Sequence, residues 1–159
     1  MLSAKMRNIF IPSCHKQGVM NKKYFTPEQA NEVLPTVKPI ISRLMKVQAA
    51  LQILQHVQVS YEDPFQEMAK HARQSMEFHR LSYELFKDIE MLMSLGCVPK
   101  DVSNGLVDFY SLKEGQEILL CWKAGEEYID YWHDLESGYA GRRLVSELYE
   151  PSVSDADEF

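Results

Sequence analysis

The residues that could do chemistry are concentrated in the segment 105–143. It holds both tryptophans of the chain, a histidine, several glycines and a pair of arginines. His133, Asp134 and Glu136 carry side chains that bind divalent metals. Asp108 could join them from a neighbouring strand, and such a site would support metal-assisted hydrolysis. If the strand continues through His133, however, alternation turns Asp134 away from it, which counts against this metal hypothesis.

A second possible site is an anion pocket in the segment 138–143. Its glycines offer flexible backbone amides, and Arg142 and Arg143 offer two guanidinium groups for phosphate or carboxylate. Tyr139 and Trp132 could supply aromatic walls. The segment lacks the glycine motifs of phosphate and dinucleotide sites, so it does not indicate a standard nucleotide site. A small anionic ligand is the hypothesis that remains.

The same residues could instead be structural. Trp122, Trp132 and His133 would then be core residues that join a sheet to helices. Asp108 is a carboxylate in an otherwise apolar run, and a buried carboxylate needs a partner. Arg142 and His133 are the two candidates for that partner.

A small sheet must position these side chains. Aliphatic and aromatic runs at 106–110, 117–122 and 127–133 are separated by turns that contain glycine, which predicts a three-stranded antiparallel β-meander. Both faces of the central run are apolar. We therefore expect it to be covered on both sides, with helices on one of them.

The first of two long helices precedes this sheet. Thr26, Pro27 and Gln29 form a capping-box start, and the helix extends to about residue 56. Pro35 and Pro39 each remove a hydrogen bond, which predicts a kink in its first third. Apolar residues recur at alternating spacings of four and three, as in a heptad, at Val33, Val37, Ile40, Leu44, Val47, Leu51 and Leu54.

The second helix begins with the same chemistry, at Asp63, Pro64 and Gln66, and ends at Gly96. A short connection between two long amphipathic helices predicts an antiparallel hairpin. One stripe of the second helix carries Met68, Ala72, Ser75, His79, Ser82, Phe86, Ile89 and Met93, flanked by Phe78, Leu81, Leu85 and Leu92.

The first half of that stripe is small and polar, so an isolated helix pair would leave it thinly packed. Either the sheet or a second copy of the chain must lie against it. Long hairpins with heptad patterns form four-helix bundles as dimers, so we expect a homo-oligomer. Glu67 and His71 share a helix face, but the paired Glu-x-x-His pattern of di-metal bundles is absent, which favours a solvated face.

Composition bounds the possible partners. With 159 residues, 45% of them hydrophobic, the chain can bury one core, and nothing indicates two domains. The net charge of −6 and scattered Lys and Arg argue against nucleic acid or a membrane surface as a partner. Nor does any apolar run reach the length of a bilayer span.

The cysteines indicate the compartment. Cys14, Cys97 and Cys121 form no CxxC pair, so a zinc knuckle or a disulfide framework is not expected. We therefore expect a reducing, cytoplasmic environment. Cys121 could in principle face His133 across strands as a nucleophile pair, but a buried thiol is the favoured interpretation.

The two ends differ from the middle in composition. Residues 1–23 contain basic residues and no acidic one, and we interpret them as a flexible N-terminal extension, with Met20 as an alternative start. A loose arm or a targeting role are the other interpretations. We expect one α+β domain at 24–146 and an acidic disordered tail at 147–159.

A set of short motifs in fixed order carries a family resemblance. The motifs are Phe25-Thr26, Glu28-Gln29-Ala30-Asn31, Leu34-Pro35, Gly105-Leu106-Val107-Asp108-Phe109, Cys121-Trp122, Gly125-Glu126, Tyr131-Trp132-His133-Asp134-Leu135, Gly138-Tyr139 and Gly141-Arg142. With them the chain resembles, over about 24–143, the small bacterial family catalogued as domain of unknown function 2203. The resemblance implies no established activity, and it supports Met20 as the start. Members usually have proline after Val-Asp-Phe, where this chain has Tyr110.

The sequence thus predicts an α+β fold, in which two long antiparallel helices, the first one kinked at proline, pack on a three-stranded meander. The expected function is a homo-oligomeric binding or interaction module. The alternative is a metal-dependent hydrolase or small-anion-binding enzyme with a site around His133, Asp108 and Arg142. A divalent metal is the cofactor that this alternative implies. An enzyme would show an open polar cleft at those three residues.

Overall fold

A computed structural model describes residues 22–56 and 63–149. Two long helices, α1 and α2, come first and an antiparallel sheet of strands β1 to β5 follows. The bounds are α1 Pro27–His56, α2 Pro64–Ser94, β1 Cys97–Asp101, β2 Leu106–Lys113, β3 Gln116–Lys123, β4 Tyr131–Asp134 and β5 Arg143–Leu144, with short 3-10 helices at Tyr139–Gly141 and Val145–Leu148. The predicted α+β class is confirmed. Most of the predicted N-terminal extension and of the acidic tail lies outside the described residues.

Both helices begin where the capping residues predict. The side chain of Thr26 accepts a hydrogen bond from the N–H of Gln29, and the Gln29 side chain accepts one from the N–H of Thr26. At the start of α2 the Asp63 carboxylate accepts from the N–H of Phe65 at 3.0 Å. These side chains satisfy N–H groups that have no partner within the first helical turn.

The two helices run antiparallel. Arg43 in the middle of α1 contacts Asp88 near the end of α2, while Leu54 near the end of α1 lines a cleft with Phe65 at the start of α2. Helix α1 continues through Pro35 and Pro39 as one helical element, and the kink stays a prediction. Neither helix of the described chain combines the length and hydropathy that a membrane span requires.

The sheet has five strands, so the predicted three-stranded meander is wrong in number. The strands follow chain order, β1-β2-β3-β4-β5, and every neighbouring pair is antiparallel. The edge strand β1 contains Pro99, Lys100 and Asp101, which are poor strand formers, and β5 has two residues. Neither carries the alternating apolar pattern by which strands are found in a sequence.

The strand predicted at 127–133 is observed at Tyr131–Asp134, β4. The physical reason lies in Asn31 of α1, whose Oδ1 accepts the backbone N–H of Ile129 at 2.8 Å. The segment before β4 therefore bonds to the helix rather than to the sheet. The Ile129 side chain is nevertheless buried.

The sheet has two differently used faces. Cross-strand partners share a face, and Phe109, Leu120 and Trp132 are aligned by the register of β2, β3 and β4. These three belong to the core that the sheet shares with α1 and α2. The opposite face carries Asp108 and Cys121, which are also buried. The expectation that the central strand is covered on both sides is confirmed.

Candidate functional site

Three adjacent strands bring Asp108, Cys121 and His133 together on the sheet face opposite the helices. Asp108 pairs with Cys121 in the β2–β3 register, and Cys121 pairs with Tyr131 in the β3–β4 register. His133 follows Tyr131 by two residues and so points to the same face. A side-chain nitrogen, sulfur and oxygen of the three residues all lie within 4.8 Å of one another, and each residue is buried.

The histidine is held in a defined orientation. Its Nδ1 lies 2.7 Å from the carbonyl oxygen of Asp134. Because a carbonyl only accepts, Nδ1 must carry the hydrogen, which leaves Nε2 with a lone pair in the neutral ring. That Nε2 lies 3.4 Å from Oδ2 of Asp108. When the ring is neutral, Nε2 of His133 and Oδ2 of Asp108 are both hydrogen-bond acceptors, and they face each other in a buried site.

The thiol of the cluster is protonated. Burial, reinforced by the charge and hydrogen bond of Asp108, raises the pKa of Cys121 to about 12. The nearby Arg142 guanidinium opposes this rise but does not cancel it. Since the thiolate is the nucleophile, the cluster in this state does not form the activated Cys/His pair that was considered from the sequence.

Of the two candidate partners for Asp108, His133 lies beside it, whereas Arg142 pairs with Glu126. Arg142 donates to both carboxylate oxygens of Glu126 at 2.7 Å, and its Nη2 also donates to the carbonyl oxygen of Cys121 at 3.1 Å. The rings of Tyr131 and Tyr139 lie 4.1 and 4.8 Å from its Cζ. An anion at this place would have to displace Glu126.

The remaining metal candidates lie apart from His133. The side chain of Asp134 accepts a hydrogen bond from Arg143 at 3.0 Å, and strand alternation places it on the face opposite His133. Glu136 is exposed in the turn after β4. The structure thus brings Asp108 to His133, as the sequence suggested, but supplies Cys121 as the third donor. Cys121 could have been identified as a donor from the cross-strand register, which the sequence leaves open.

The two tryptophans are structural in their contacts. Trp122 donates from its indole nitrogen to the carbonyl of Glu126 at 3.0 Å. Trp132 donates to the carbonyl of Leu144 at 3.1 Å, and the cations of Lys113 and Arg143 each lie 4.8 Å from its ring. Both rings are buried, in agreement with core residues that join sheet to helices.

Comparison with protein families decides the relationship. The model of an uncharacterized conserved protein family, DUF2203, matches residues 23–145, most of the chain. The chain belongs to the DUF2203 family. This confirms the resemblance drawn from the sequence motifs. No curated protein and no solved structure matches the chain.

A second candidate site of this DUF2203 member is an exposed apolar face on α2, which we call the α2 stripe. Its members recur at spacings of three, four or seven residues, which places them on one side of the helix. They are Phe65, Met68, Ala72, Met76, His79, Tyr83, Phe86 and Met93, and all are exposed. Phe65, Met76 and Tyr83 are 70%, 73% and 70% exposed.

The opposite side of α2 is the one that packs. Leu81, Leu85, Ile89 and Leu92 are buried in the shared core. The stripe that we predicted as the packing surface of α2 is therefore largely turned to solvent, and the residues predicted to flank it face α1 and the sheet. Helix α2 of the DUF2203 domain thus has two apolar faces, and within the described chain one of them is packed while the other is exposed.

Two clefts in the described residues lie away from the Asp108 cluster. One of about 620 Å³ lies where the helices end and is lined by Leu54, Phe65 and Arg73 among others. Another of about 430 Å³ lies between the start of α1 and the β2–β3 hairpin. The open polar cleft that an enzyme would show at His133 and Asp108 is not among these two.

Proposed function

We propose that this DUF2203 protein is a homo-oligomeric interaction module in which two copies associate through the α2 stripe. One observation carries the proposal. The helix exposes large apolar side chains over its whole length on the side opposite its packed face. Contiguous apolar surface of this kind is typical of protein interaction sites.

The area of the stripe fits a stable contact. Its six large apolar side chains are 41% to 73% exposed, namely Phe65, Met68, Met76, Tyr83, Phe86 and Met93. At 150–250 Å² for each aromatic side chain, with the methionines counted at the lower end of that range, the six present roughly 650 Å² to solvent. This is close to the roughly 800 Å² that each partner buries in a standard interface.

A second copy of the chain is the occupant that fits the length of this surface. Helix α2 has 31 residues and is therefore about 46 Å long. An element of equal length and complementary pattern is needed to cover the stripe from end to end, and α2 of another copy is such an element. Paired apolar faces of long helices form the core of four-helix bundles.

The charge of Arg80, at the edge of the stripe, does not oppose this contact. Arg80 lies beside the stripe, and its guanidinium donates to Glu77 and to Glu84 at 2.6 Å each. Its charge is thereby compensated within the same helix. Two copies can approach at this edge without repulsion between uncompensated Arg80 side chains.

The enzyme alternative has less support. A metal-dependent hydrolase would need substrate access to Asp108 and His133, and both are buried. A small-anion enzyme would need free guanidinium groups, whereas Arg142 forms an ion pair with Glu126 and Arg143 forms one with Asp134.

Light scattering on the purified full chain tests the proposal. We expect a mass of at least twice the 18.4 kDa of one chain. The double variant Met76→Lys with Tyr83→Lys places two charges in the stripe and should run as a monomer with an unchanged helical circular dichroism spectrum. Ile53→Lys is the control, since Ile53 is an equally exposed apolar residue of α1, at 65%. A monomeric wild type, or a stripe variant that keeps the oligomeric mass, would overturn the proposal.

A further inference from the structure

We infer that Asp108, Cys121 and His133 bind one divalent transition metal ion of the zinc class on the sheet face opposite the helices. This inference is independent of self-association through the α2 stripe. It rests on the spacing of the donor atoms, on the orientation of the histidine and on the balance of charge.

The spacing fits tetrahedral coordination. Zinc lies about 2.1 Å from histidine nitrogen and carboxylate oxygen, so two such ligands of a tetrahedral ion are about 3.4 Å apart. Nε2 of His133 and Oδ2 of Asp108 are separated by 3.4 Å. This is longer than the roughly 2.7–2.9 Å of a charge-assisted hydrogen bond. The sulfur of Cys121 lies within 4.8 Å of a donor atom of each of the other two residues, so it would have to move closer to complete a three-ligand set.

The histidine is prepared as a ligand. Metal-binding histidines donate their second N–H to a carbonyl or carboxylate, which fixes the ring and leaves the other nitrogen free to coordinate. Nδ1 of His133 makes this contact with the carbonyl of Asp134 at 2.7 Å. The lone pair on Nε2 therefore points into the cluster, towards Asp108.

Charge favours a dication over an empty cluster. A thiolate from Cys121 and a carboxylate from Asp108 carry two negative charges, which one M²⁺ ion neutralises. Binding forms a metal–sulfur bond and releases the thiol proton to solvent, so one proton leaves for each ion bound. Mixed sulfur, nitrogen and oxygen donors favour zinc-like ions over Mg²⁺ or Ca²⁺, which prefer oxygen ligands alone.

A proton is the rival occupant. If His133 is doubly protonated, it forms a buried imidazolium–carboxylate pair with Asp108 and no metal is needed. The two possibilities differ in the role of the thiol, since only the metal requires a sulfur ligand. Cys97 supplies a matched control. It is also buried, and burial likewise raises its pKa to about 12, but it lies on β1 and packs in the shared core.

Cobalt is the probe. The untagged full chain is stripped with a chelator and titrated with Co²⁺, both in the native state and during refolding, because the buried site could load as the chain folds. We expect one Co²⁺ per chain, a thiolate-to-cobalt charge-transfer band and intense visible bands of four-coordinate cobalt, all displaced by Zn²⁺. Cys121→Ser should lose the charge-transfer band and lower the Co²⁺ affinity at least about 100-fold. Cys97→Ser and Cys14→Ser should keep both.

Each outcome decides the inference. Absence of the band from folded wild type under both loading conditions overturns it, as does a band that survives in Cys121→Ser. Should Cys121→Ser fail to fold, Asp108→Asn and His133→Gln replace it. Added Zn²⁺ should then raise the Tm of the wild type and leave the Tm of both variants unchanged. An equal rise in the wild type and in both variants would contradict the site.

Discussion

Arg43 of α1 and Asp88 of α2 are joined by two parallel hydrogen bonds, from Nε to Oδ2 at 2.6 Å and from Nη2 to Oδ1 at 2.5 Å. The Asp88 side chain is 6% exposed, while that of Arg43 is 51% exposed. The carboxylate thus lies inside the contact between the helices and depends on a guanidinium that reaches in from the surface. This bidentate pair fixes the two helices at one point along their length.

Arg43→Met should lower the free energy of unfolding by about 2–3 kcal/mol, because it leaves the buried carboxylate of Asp88 without its partner. The exposure of Arg43 places this loss below that of a fully buried pair. Adding Asp88→Leu should restore most of the loss, since the buried charge is then removed. Urea unfolding of the wild type, both single variants and the double variant measures the coupling. Additive effects of the two substitutions would show that the pair does not act as a unit.

Glu126 gives the protein a specific acid sensitivity. Burial alone would raise the pKa of Glu126, but hydrogen bonds from Arg142 and from the N–H of Lys123 hold it below its ordinary value. A lowered folded-state pKa means that the stabilisation is complete above the unfolded pKa of about 4.3 and is lost as pH falls through the folded value. Glu126→Gln should therefore cost about 1–3 kcal/mol at pH 7.

The gap in unfolding free energy between wild type and Glu126→Gln should stay constant above about pH 5 and narrow as the pH falls below about 4. Urea unfolding at a series of pH values measures the gap. Glu136→Gln, which removes an exposed carboxylate from the turn after β4, is the control for the loss of one negative charge. A gap for Glu126→Gln that is the same at all pH values would argue against the Arg142 pairing.

Gly105 closes the turn between β1 and β2 where two elements approach closely. Its φ is +64°, and a Cβ there would lie 2.5 Å from Cβ of Ala124 and 2.9 Å from Sδ of Met45. Gly105→Ala should therefore destabilise by about 2–4 kcal/mol, from strain and overpacking together. Gly115→Ala is the matched control, since φ is +82° but nothing lies within 4 Å of the added Cβ.

Thermal unfolding compares the two glycine variants directly. Gly115→Ala should show only the backbone strain, about 1–2 kcal/mol. Equal losses of unfolding free energy at the two positions would mean that the close contact of Gly105 with Ala124 does not contribute to the effect of the substitution.

Helix starts could be predicted because their cause is local. Thr26 and Gln29 are three residues apart, and the hydrogen bonds between them need no other part of the chain. The apolar strands β2 and β3 were found for the same reason, since alternation is visible within each run. The strands β1 and β5 were missed because pairing with a neighbour, rather than their own composition, makes them strands.

The packed face of α2 could not be chosen from periodicity. Apolar residues occupy two sides of the helix, and only contacts with α1 and the sheet decide that Leu85 is buried while Tyr83 is exposed. Cys121 was missed as a partner of Asp108 for a related reason, because strand register is a tertiary property. Asp108 and His133 were found because a carboxylate and a histidine stand out in apolar runs.

Disulfide cross-linking within the α2 stripe tests self-association most directly. A full chain with Cys14→Ser, Met76→Cys and Tyr83→Cys carries two exposed thiols seven residues apart. These lie about 10.5 Å apart along one helix, beyond the roughly 4.4–6.8 Å between the Cα atoms of a disulfide. A disulfide that uses these two thiols can therefore form only between two copies. If the two α2 helices pair in parallel, it joins the same position of each copy. If they pair antiparallel, it joins position 76 of one copy to position 83 of the other. Mild oxidation should give a covalent dimer, whereas Ile53→Cys in the same background should stay monomeric. A stripe variant that stays monomeric, or a control that links equally well, would contradict association through the α2 stripe.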